Sequence, residues 1–292
     1  MTKSALSVLS PLTLVTLRFM LAVLLMVAVG VVSRHIGALH DLALQKIDRK
    51  DVPLFLLGGF VQPFLYYMFE TYGLQLSASP TVSEVLLSTS PIFAPLFAYV
   101  LIREKVTLYN ITGILISTGG VVMMVLAGNA NFEMGSMWGV LLLFLAVFSA
   151  VLYTIILRRI PVKYNSLSIV FWVQLVSLLF FVPSFCIVDL PSLWWNGLPS
   201  GNLGMALGAV GYLAVCSSVI AFILFCYTVR RIGVTRANAF NNIRPVFTAL
   251  MMMVFWGEQL PLLKWIGMAL VIVGLFICQY QRRVNGQSPN EE

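Results

Sequence analysis

Charge is scarce in this sequence. Only 10% of its 292 residues are Asp, Glu, Lys or Arg, whereas 60% are hydrophobic and the mean hydropathy is +0.94. A soluble domain carries about 25% charged residues and could not cover its surface with so few. Soluble enzymes, disordered chains and disulfide scaffolds are therefore excluded. The length leaves room for about nine or ten membrane-spanning helices of roughly 20 residues each.

Groups that carry catalysis or bind metals are equally few. The two histidines, His35 and His40, lie in one connector, and the sequence contains no HExxH or nucleophile motif and no P-loop. These absences argue against a membrane enzyme and exclude a primary pump on this chain. The four cysteines lie in apolar runs without CxxC spacing, which is typical of small buried residues. We expect no cofactor and no metal.

Nine apolar runs, separated by short polar connectors, are each long enough to cross a bilayer as a helix. They cover residues 11–32, 53–76, 81–102, 107–127, 136–157, 165–188, 203–229, 237–256 and 261–281. The ten-residue alternation of an outer-membrane barrel is absent. The sequence therefore predicts an all-α integral membrane protein with nine transmembrane helices.

The basic residues lie mainly on one side of these predicted helices. Lys3 and Lys264 fall on the opposite side, and Arg18 and Arg244 fall within spans. The remaining 14 of the 18 lysines and arginines are Arg34, Lys46, Arg49, Lys50, Arg103, Lys105, Arg158, Arg159, Lys163, Arg230, Arg231, Arg236, Arg282 and Arg283. The positive-inside rule then predicts a cytoplasmic C-terminus, and nine spans place the N-terminus outside. We expect the protein to lie in a bacterial cytoplasmic (inner) membrane. Because topology explains the net charge of +7, we expect no nucleic-acid partner.

Shifting the sequence by 154 residues aligns the chain with itself. Thr81, Pro91, Phe93, Leu96, Val100, Glu104, Leu108, Gly113 and Gly120 fall on Thr235, Pro245, Phe247, Leu250, Val254, Glu258, Leu262, Gly267 and Gly274. The second unit contains five spans, and this odd number inverts its orientation relative to the first. Inverted repeats recur in secondary transporters, which bind substrate near the midplane between the repeats. A duplicated scaffold that transports nothing is the alternative.

The predicted domains follow from this shift. Residues 1–128 form a first repeat of four helices, residues 129–285 a second repeat of five, and residues 286–292 a cytoplasmic tail. The run 136–157 has no counterpart in the first repeat, so we expect one helix to be missing there. A natural nine-helix form and a reading frame that begins too late both explain this expectation.

Three motifs in the chain belong to a known pattern. They are Ser10-Pro11-Leu12-Thr13 before Leu17-Arg18-Phe19, Ser90-Pro91-Ile92-Phe93 before Arg103-Glu104, and Arg244-Pro245-Val246-Phe247 before Gly257-Glu258. In these motifs the sequence resembles the drug/metabolite transporter superfamily, most closely its EamA-type group, over nearly the whole chain. The resemblance implies ten helices in two inverted five-helix units around a central cavity, of which this chain lacks the first. It also implies alternating access and export of amino acids or other small metabolites, or exchange of nucleotide sugars.

The predicted substrate site centres on two paired prolines and one arginine. Pro91 and Pro245 fall near the middle of matching runs, where proline removes a hydrogen bond and kinks a helix. Asn238, Asn241 and Asn242 share a helical face with Pro245, and Arg244 lies beside them. We expect Arg244 to bind an anionic substrate group, most simply a carboxylate, while the asparagines bind its neutral polar atoms. A structural arginine bound to backbone carbonyls is the alternative.

Further charged and polar residues fall within the outer half of the predicted membrane spans. Arg18 and Glu70 match in depth and predict a structural ion pair. Glu84 shares a face with Ser88 and either lines the cavity, carries a coupling proton, or is hydrated near the surface.

The remaining candidates are polar residues of other spans. Gln62, Tyr66, Tyr153 and Tyr212 complete a predicted cavity for a small amphiphilic solute. Glycines at matching positions of the two repeats, with Gly204 and Gly208, fit helix packing either within one chain or in a homodimer. The expected partners are thus a small-molecule substrate, the lipid bilayer, a coupling proton in one reading, and a second copy in another.

Overall fold

The computed structural model describes residues 10–35, 43–76, 85–127, 136–191, 203–256 and 260–280, which form helices joined by short turns, with no strand. In chain order the α-helices are α1 (Pro11–His35), α2 (Val52–Gly59), α3 (Tyr66–Leu76), α4 (Ser90–Ile102), α5 (Leu108–Leu126), α6 (Met137–Arg159), α7 (Ser166–Val188), α8 (Leu203–Tyr212), α9 (Phe222–Ile232), α10 (Val234–Ala239), α11 (Arg244–Trp256) and α12 (Leu262–Gln279). A π-helical segment, Phe60–Leu65, joins α2 to α3, and another, Leu213–Ala221, joins α8 to α9. A 3₁₀ segment, Phe240–Ile243, joins α10 to α11.

Eight helical segments in the described ranges are long and apolar enough to cross a membrane. The predicted eighth run is divided instead into α10, the 3₁₀ segment and α11, and none of these pieces reaches 18 residues by itself. The all-α membrane fold is therefore confirmed. The count of nine crossings and the missing first helix stay predictions.

The shift of 154 residues also relates the helix boundaries. Helix α4, at 90–102, maps onto the bounds of α11 at 244–256, and α5 maps onto α12 within one residue at its end. The two π-helical segments also fall on each other, since residues 60–65 shift to 214–219. The repeat is thus present in local backbone geometry as well as in residue identities.

Helices α5 and α12 pack against each other through the repeated glycines. A Cβ atom on Gly113 would lie 2.5 Å from the carbonyl oxygen of Gly274, and one on Gly120 would lie 2.6 Å from that of Gly267. Only glycine permits so close an approach of two helix backbones. The earlier glycine of α5 meets the later one of α12, so these repeat-equivalent helices run antiparallel. The repeated glycines therefore pack within one chain.

The Gly204–Gly208 pair shows no such packing. A Cβ atom on Gly208 would meet nothing within 4 Å, and both glycines are exposed. The predicted homodimer remains a prediction, since contacts between copies lie beyond a single chain.

Most of the described basic residues outside the spans lie at one end of the bundle, which we call the basic end. They belong to the connector before α2 and to the segments that follow α4, α6 and α9. The ends of α4, α6 and α9 meet there. The carboxylate of Glu104 accepts the backbone N–H groups of Val234 at 2.9 Å and Thr235 at 3.0 Å. Arg159 donates to the carbonyl oxygen of Leu101 at 2.5 Å. These contacts join the two halves of the chain, so the bundle is closed at this end.

A connector before α2 is also tied down at the basic end. Lys163 lies 2.5 Å from a carboxylate oxygen of Asp48 and 2.7 Å from one of Asp51. The hydroxyl of Tyr164 donates to Asp51 at 2.7 Å. The hydrogen bonds from Lys163 and Tyr164 lower the pKa of Asp51 below its ordinary value of 3.8. The connector therefore docks on the turn between α6 and α7.

Candidate functional site

A cavity of about 800 Å³ lies between the two halves of the chain. Its volume is within the range of about 300–1,000 Å³ typical of small-molecule sites. Its polar lining residues are Gln62, Tyr66, Tyr67, Glu70, Ser88, Ser90, Thr154, Ser217, Asn238, Asn241, Arg244 and Lys264. Valine, methionine, alanine and phenylalanine side chains form most of the rest of its wall. The cavity is therefore amphiphilic, with charges at a few defined points.

Four helix irregularities surround this cavity, two from each half. The first half contributes the π-helical segment 60–65 and a turn at residues 88–89, and the second contributes residues 213–221 and 240–243. Gln62 departs from helical geometry altogether, with φ −148° and ψ 126°. Irregular backbone at membrane depth is tolerated where protein or a water-filled cavity satisfies its polar groups. Repeat-related interruptions around one cavity are the arrangement found at transporter binding sites.

Each of the paired prolines lies just after one of these interruptions. Pro91 follows Ser90 in the first turn of α4, and Pro245 follows Arg244 in the first turn of α11. Proline costs nothing there because its missing N–H would have no partner within the helix. The predicted mid-helix kinks are thus breaks between two helical pieces, and the prolines begin the second piece.

The asparagines divide into two groups. Asn238 and Asn241 line the cavity. Asn242 is fully buried and donates to the hydroxyls of Ser117 at 2.9 Å and Thr118 at 3.0 Å on α5. The prediction of a single asparagine face was therefore wrong for Asn242. A 3₁₀ segment turns about 120° per residue instead of 100°, so it rotates Asn242 away from the face that an α-helix would give it.

Arg244 lies in the cavity wall, at the start of α11, and its side chain is exposed there. Its Nη2 atom donates to the side-chain oxygen of Asn241 at 3.1 Å. Asn241 in turn donates to Asn238 at 3.4 Å, and Asn238 donates to the hydroxyl of Thr154 at 3.2 Å. The guanidinium is thus oriented by a chain of polar side chains that reaches α6.

Glu70 also lines the cavity, and the predicted ion pair with Arg18 is not formed. Arg18 is 7% exposed and donates to the hydroxyl of Tyr67 at 2.6 Å. Its guanidinium carbon lies 5.0 Å from the ring centre of Phe19 and 4.9 Å from that of Tyr67. Two aromatic faces and one phenol thus stabilise this cation. Glu70 instead accepts a hydrogen bond from Tyr66 at 3.0 Å.

Three other predicted site residues also line the cavity: Gln62, Tyr66 and Ser88. Tyr153 does not, because it is fully buried in the core between α6 and its neighbours. Tyr212 is 55% exposed and lies outside the cavity wall. Glu84 lies outside the described residues.

The structure adds residues that sequence reasoning missed. Lys264, Tyr67, Thr154 and Ser217 line the cavity alongside the predicted residues. Lys264 lies two residues after the start of α12. A basic residue near a helix end is usually solvated, so its position in the sequence did not indicate a cavity residue. The repeat shift places Ser217 opposite Pro63, which could have predicted an irregular segment there.

The cavity is lined by Lys264, near the start of α12, and by Thr154 and Asn238, which lie nearer to the basic end. Thr154 lies five residues before the end of α6, which corresponds to about 7.5 Å of helix rise. The contacts of Glu104 with Val234 and of Arg159 with Leu101 lie at the basic end, outside the cavity wall. These contacts join the two halves of the chain at the basic end, below the residues that line the cavity.

Known proteins resemble this chain throughout its length. The protein named Uncharacterized transporter YetK of Bacillus subtilis is 27% identical over 84% of this chain and 73% of its own. An uncharacterized transporter of Archaeoglobus fulgidus is 24% identical over 94% of this chain and 90% of its own. A protein of Streptantibioticus cattleyicolor, named as a probable terminal-alkyne amino-acid exporter, is 24% identical over 82% of this chain and 77% of its own.

A solved structure has the same fold. The match to a crystal structure covers 95% of this chain and 90% of the chain in that structure, with a TM-score of 0.75 and 20% sequence identity. The profile of the EamA-like transporter family matches residues 1–126 and residues 137–279. Both segments contribute residues to the cavity. From this match across nearly all of the sequence, we conclude that the chain belongs to the EamA-like transporter family.

Proposed function

We propose that this protein exports amino acids by alternating access, using the central cavity as the substrate site. The observation that carries the proposal is the position of Arg244 in an amphiphilic cavity between inverted halves. A guanidinium binds a carboxylate by two parallel charge-assisted hydrogen bonds. Asn241 already holds one edge of this guanidinium, which orients it toward the cavity.

The apolar wall suits the side chain of an amphiphilic amino acid. Phe222, Phe225 and Met124 face the same cavity as the polar residues. Binding sites for small molecules combine such apolar walls with a few oriented polar groups. The name of the Streptantibioticus relative, a probable amino-acid exporter, points to the same substrate class.

The proposed orientation places the basic end in the cytoplasm of a bacterial cell. The positive-inside rule supports it, because most of the basic residues in connectors lie at this end. The cavity then reaches the outside, and the contacts of Glu104 and Arg159 close the cytoplasmic side. Export requires a second state in which this closure opens and the Lys264 end closes.

Lys264 supports a second candidate function. Two cations, Arg244 and Lys264, in one cavity also suit a phosphorylated substrate such as a nucleotide sugar. A proton-coupled mechanism is compatible with either substrate class.

Binding to the purified protein distinguishes these candidates. We expect the thermal midpoint of unfolding to rise with amino acids and to stay unchanged with nucleotide sugars. Arg244→Gln should weaken amino-acid binding by about tenfold or more, the loss expected for a charge-assisted hydrogen bond. Arg231→Gln is the matched control, because Arg231 is exposed and lies over the ring of Tyr227, outside the cavity. Binding of nucleotide sugars alone would select the second candidate, and binding of neither class would favour the non-transporting scaffold.

A further inference from the structure

One carboxylate lies in the central cavity, among the acidic residues that the structure describes. Glu70 is in its wall. Asp48, Asp51 and Glu104 accept hydrogen bonds at the basic end of the bundle. Asp189, at the end of α7, accepts a hydrogen bond from Thr13 at 2.6 Å and lies outside the central cavity. Glu70 is therefore the described acidic group that a substrate in this cavity would meet.

The carboxylate of Glu70 is held in place by a neutral group. The hydroxyl of Tyr66, one helical turn earlier, donates to its Oε1 atom at 3.0 Å. The two ion pairs in the described ranges involve Lys163 and lie at the basic end. No described cation is therefore within 4 Å of Glu70, and its second oxygen is left for another donor.

The charged neighbours of Glu70 come from three elements. Arg18 of α1 is occupied by the hydroxyl of Tyr67 and by two aromatic rings. Arg244 of α11 and Lys264 of α12 line the same cavity as Glu70. Helix α6, which packs along α3, contributes the uncharged Val147 and Ala150 to the cavity wall. The cavity wall thus presents the carboxylate of Glu70, which has no described cation within 4 Å, together with the guanidinium of Arg244.

We propose that Glu70 and Arg244 form a two-ended site for a zwitterion, in which Glu70 binds the free α-ammonium group and Arg244 the α-carboxylate. This inference rests on the proposed function and names a specificity residue, Glu70, for it. An empty cavity carrying both charges gains most from a ligand that brings both opposite charges. A ligand that lacks the ammonium group leaves the carboxylate of Glu70 without a cationic partner, and one that lacks the carboxylate gives up the charge-assisted hydrogen bonds to Arg244.

The two-ended site also explains the arrangement around Arg18. A guanidinium bound directly to Glu70 would neutralise the carboxylate and compete with the substrate's ammonium group. The phenol of Tyr67 and the ring of Phe19 hold Arg18 instead. Glu70 remains available, and Tyr66 orients it without neutralising it.

Matched ligands test this inference. L-Leucine carries both charges, 4-methylpentanoate lacks the ammonium group, and L-leucinamide lacks the carboxylate. Isothermal titration of the purified protein should show L-leucine binding about tenfold or more tighter than either analogue. The phenylalanine series, with 3-phenylpropionate and L-phenylalaninamide, provides a second set of probes.

The variants assign each charge to its residue. Glu70→Gln should bring L-leucine and 4-methylpentanoate to within about twofold of each other, while leucinamide remains the weaker ligand. Arg244→Gln should remove the discrimination against leucinamide instead. Asp48→Asn is the carboxylate control, since Asp48 lies at the basic end and Asp51 also pairs with Lys163. It should behave as the wild type.

The outcomes separate this inference from the function that it deepens. A Glu70→Gln variant that keeps the wild-type preference for leucine over 4-methylpentanoate overturns the role of Glu70, while amino-acid export stands. A wild-type protein that binds neither amino acid of the two series overturns the two-ended site. The proposed function falls with it when a panel of all common amino acids also fails to bind. An unchanged midpoint of thermal unfolding for each variant shows that a change in its ligand preference does not come from misfolding.

Discussion

The carboxylate of Glu104 accepts the backbone N–H of Val234 at 2.9 Å, across the boundary between the two halves of the chain. A second hydrogen bond, from the N–H of Thr235 at 3.0 Å, uses the other carboxylate oxygen. Gly233 precedes this pair with φ +89°, a conformation that favours glycine. A Cβ atom there would lie 3.0 Å from Glu104 Oε1. The contact of Glu104 with the start of α10 thus depends on one carboxylate and one glycine.

Replacing Glu104 should loosen this contact. Glu104→Ala removes two charge-assisted hydrogen bonds and leaves two N–H groups unsatisfied, which costs about 2–4 kcal/mol of stability. We expect a lower midpoint of thermal unfolding in detergent. Lys105→Ala, at an exposed neighbouring position, is the control and should leave the midpoint unchanged. Equal midpoints for the two variants would show that the Glu104 contacts contribute nothing.

Alanine at the repeated glycines should separate α5 from α12. A Cβ atom on Gly274 would lie 2.5 Å from the backbone nitrogen of Ser117, so the helices must move apart, at a cost of about 1–3 kcal/mol. Gly119→Ala is a close control, because a Cβ atom there meets nothing within 4 Å. We expect Gly274→Ala, and not Gly119→Ala, to lower the unfolding midpoint. A neutral Gly274→Ala would contradict the close packing.

Two adjacent asparagines should have different roles. Asn241 lines the cavity beside Arg244, whereas Asn242 is buried against α5. Asn241→Ala should weaken substrate binding with little change in stability. Asn242→Ala should lower stability by about 1–3 kcal/mol, because it leaves buried hydroxyl groups without their donor. Titration and thermal unfolding of both variants would measure this difference, and the reverse pattern would refute the 3₁₀ rotation.

Acid should release the connector at the basic end. The lowered pKa of Asp51 means that its interactions with Lys163 and Tyr164 stabilise the docked connector above pH 3.8, the ordinary value for Asp. This stabilisation is lost as pH falls through the lower pKa of the docked state. Hydrogen exchange of residues 43–51 should therefore accelerate, beyond the intrinsic pH effect, below about pH 4. Asp51→Asn should show faster exchange already at neutral pH, and unchanged protection in this variant would contradict the prediction.

Much of the fold could be predicted from the sequence because the bilayer imposes a simple rule. Apolar runs of helix length gave the spans, and the shared Pro, Glu and glycine residues gave the repeat. Pro91 and Pro245 correctly indicated interrupted helices, since proline cannot continue the hydrogen bonding of an α-helix. The type of interruption was not predictable, because the choice between a turn and a 3₁₀ segment depends on contacts with other helices.

The side-chain partners were harder to predict than the helices. Depth alone paired Arg18 with Glu70, but depth does not give the angle around the helix axis, and Tyr67 and Phe19 bind Arg18 instead. Likewise, α-helical spacing placed Asn242 with Asn238, and a local 3₁₀ segment separated them. Lys264 was missed because a lysine near a helix end is most often solvated. Such errors concern rotation and local backbone geometry, which hydropathy does not encode.

Counterflow in proteoliposomes tests most directly whether the cavity around Arg244 is the site of a carrier. Vesicles loaded with unlabelled amino acid and diluted into radiolabelled amino acid should accumulate label with the wild type and with Arg231→Gln. Vesicles with an equal amount of the Arg244→Gln variant should accumulate at least about tenfold less label. Label uptake that ignores the internal amino acid, or that is equal in all three proteins, would contradict a carrier whose substrate binds at Arg244.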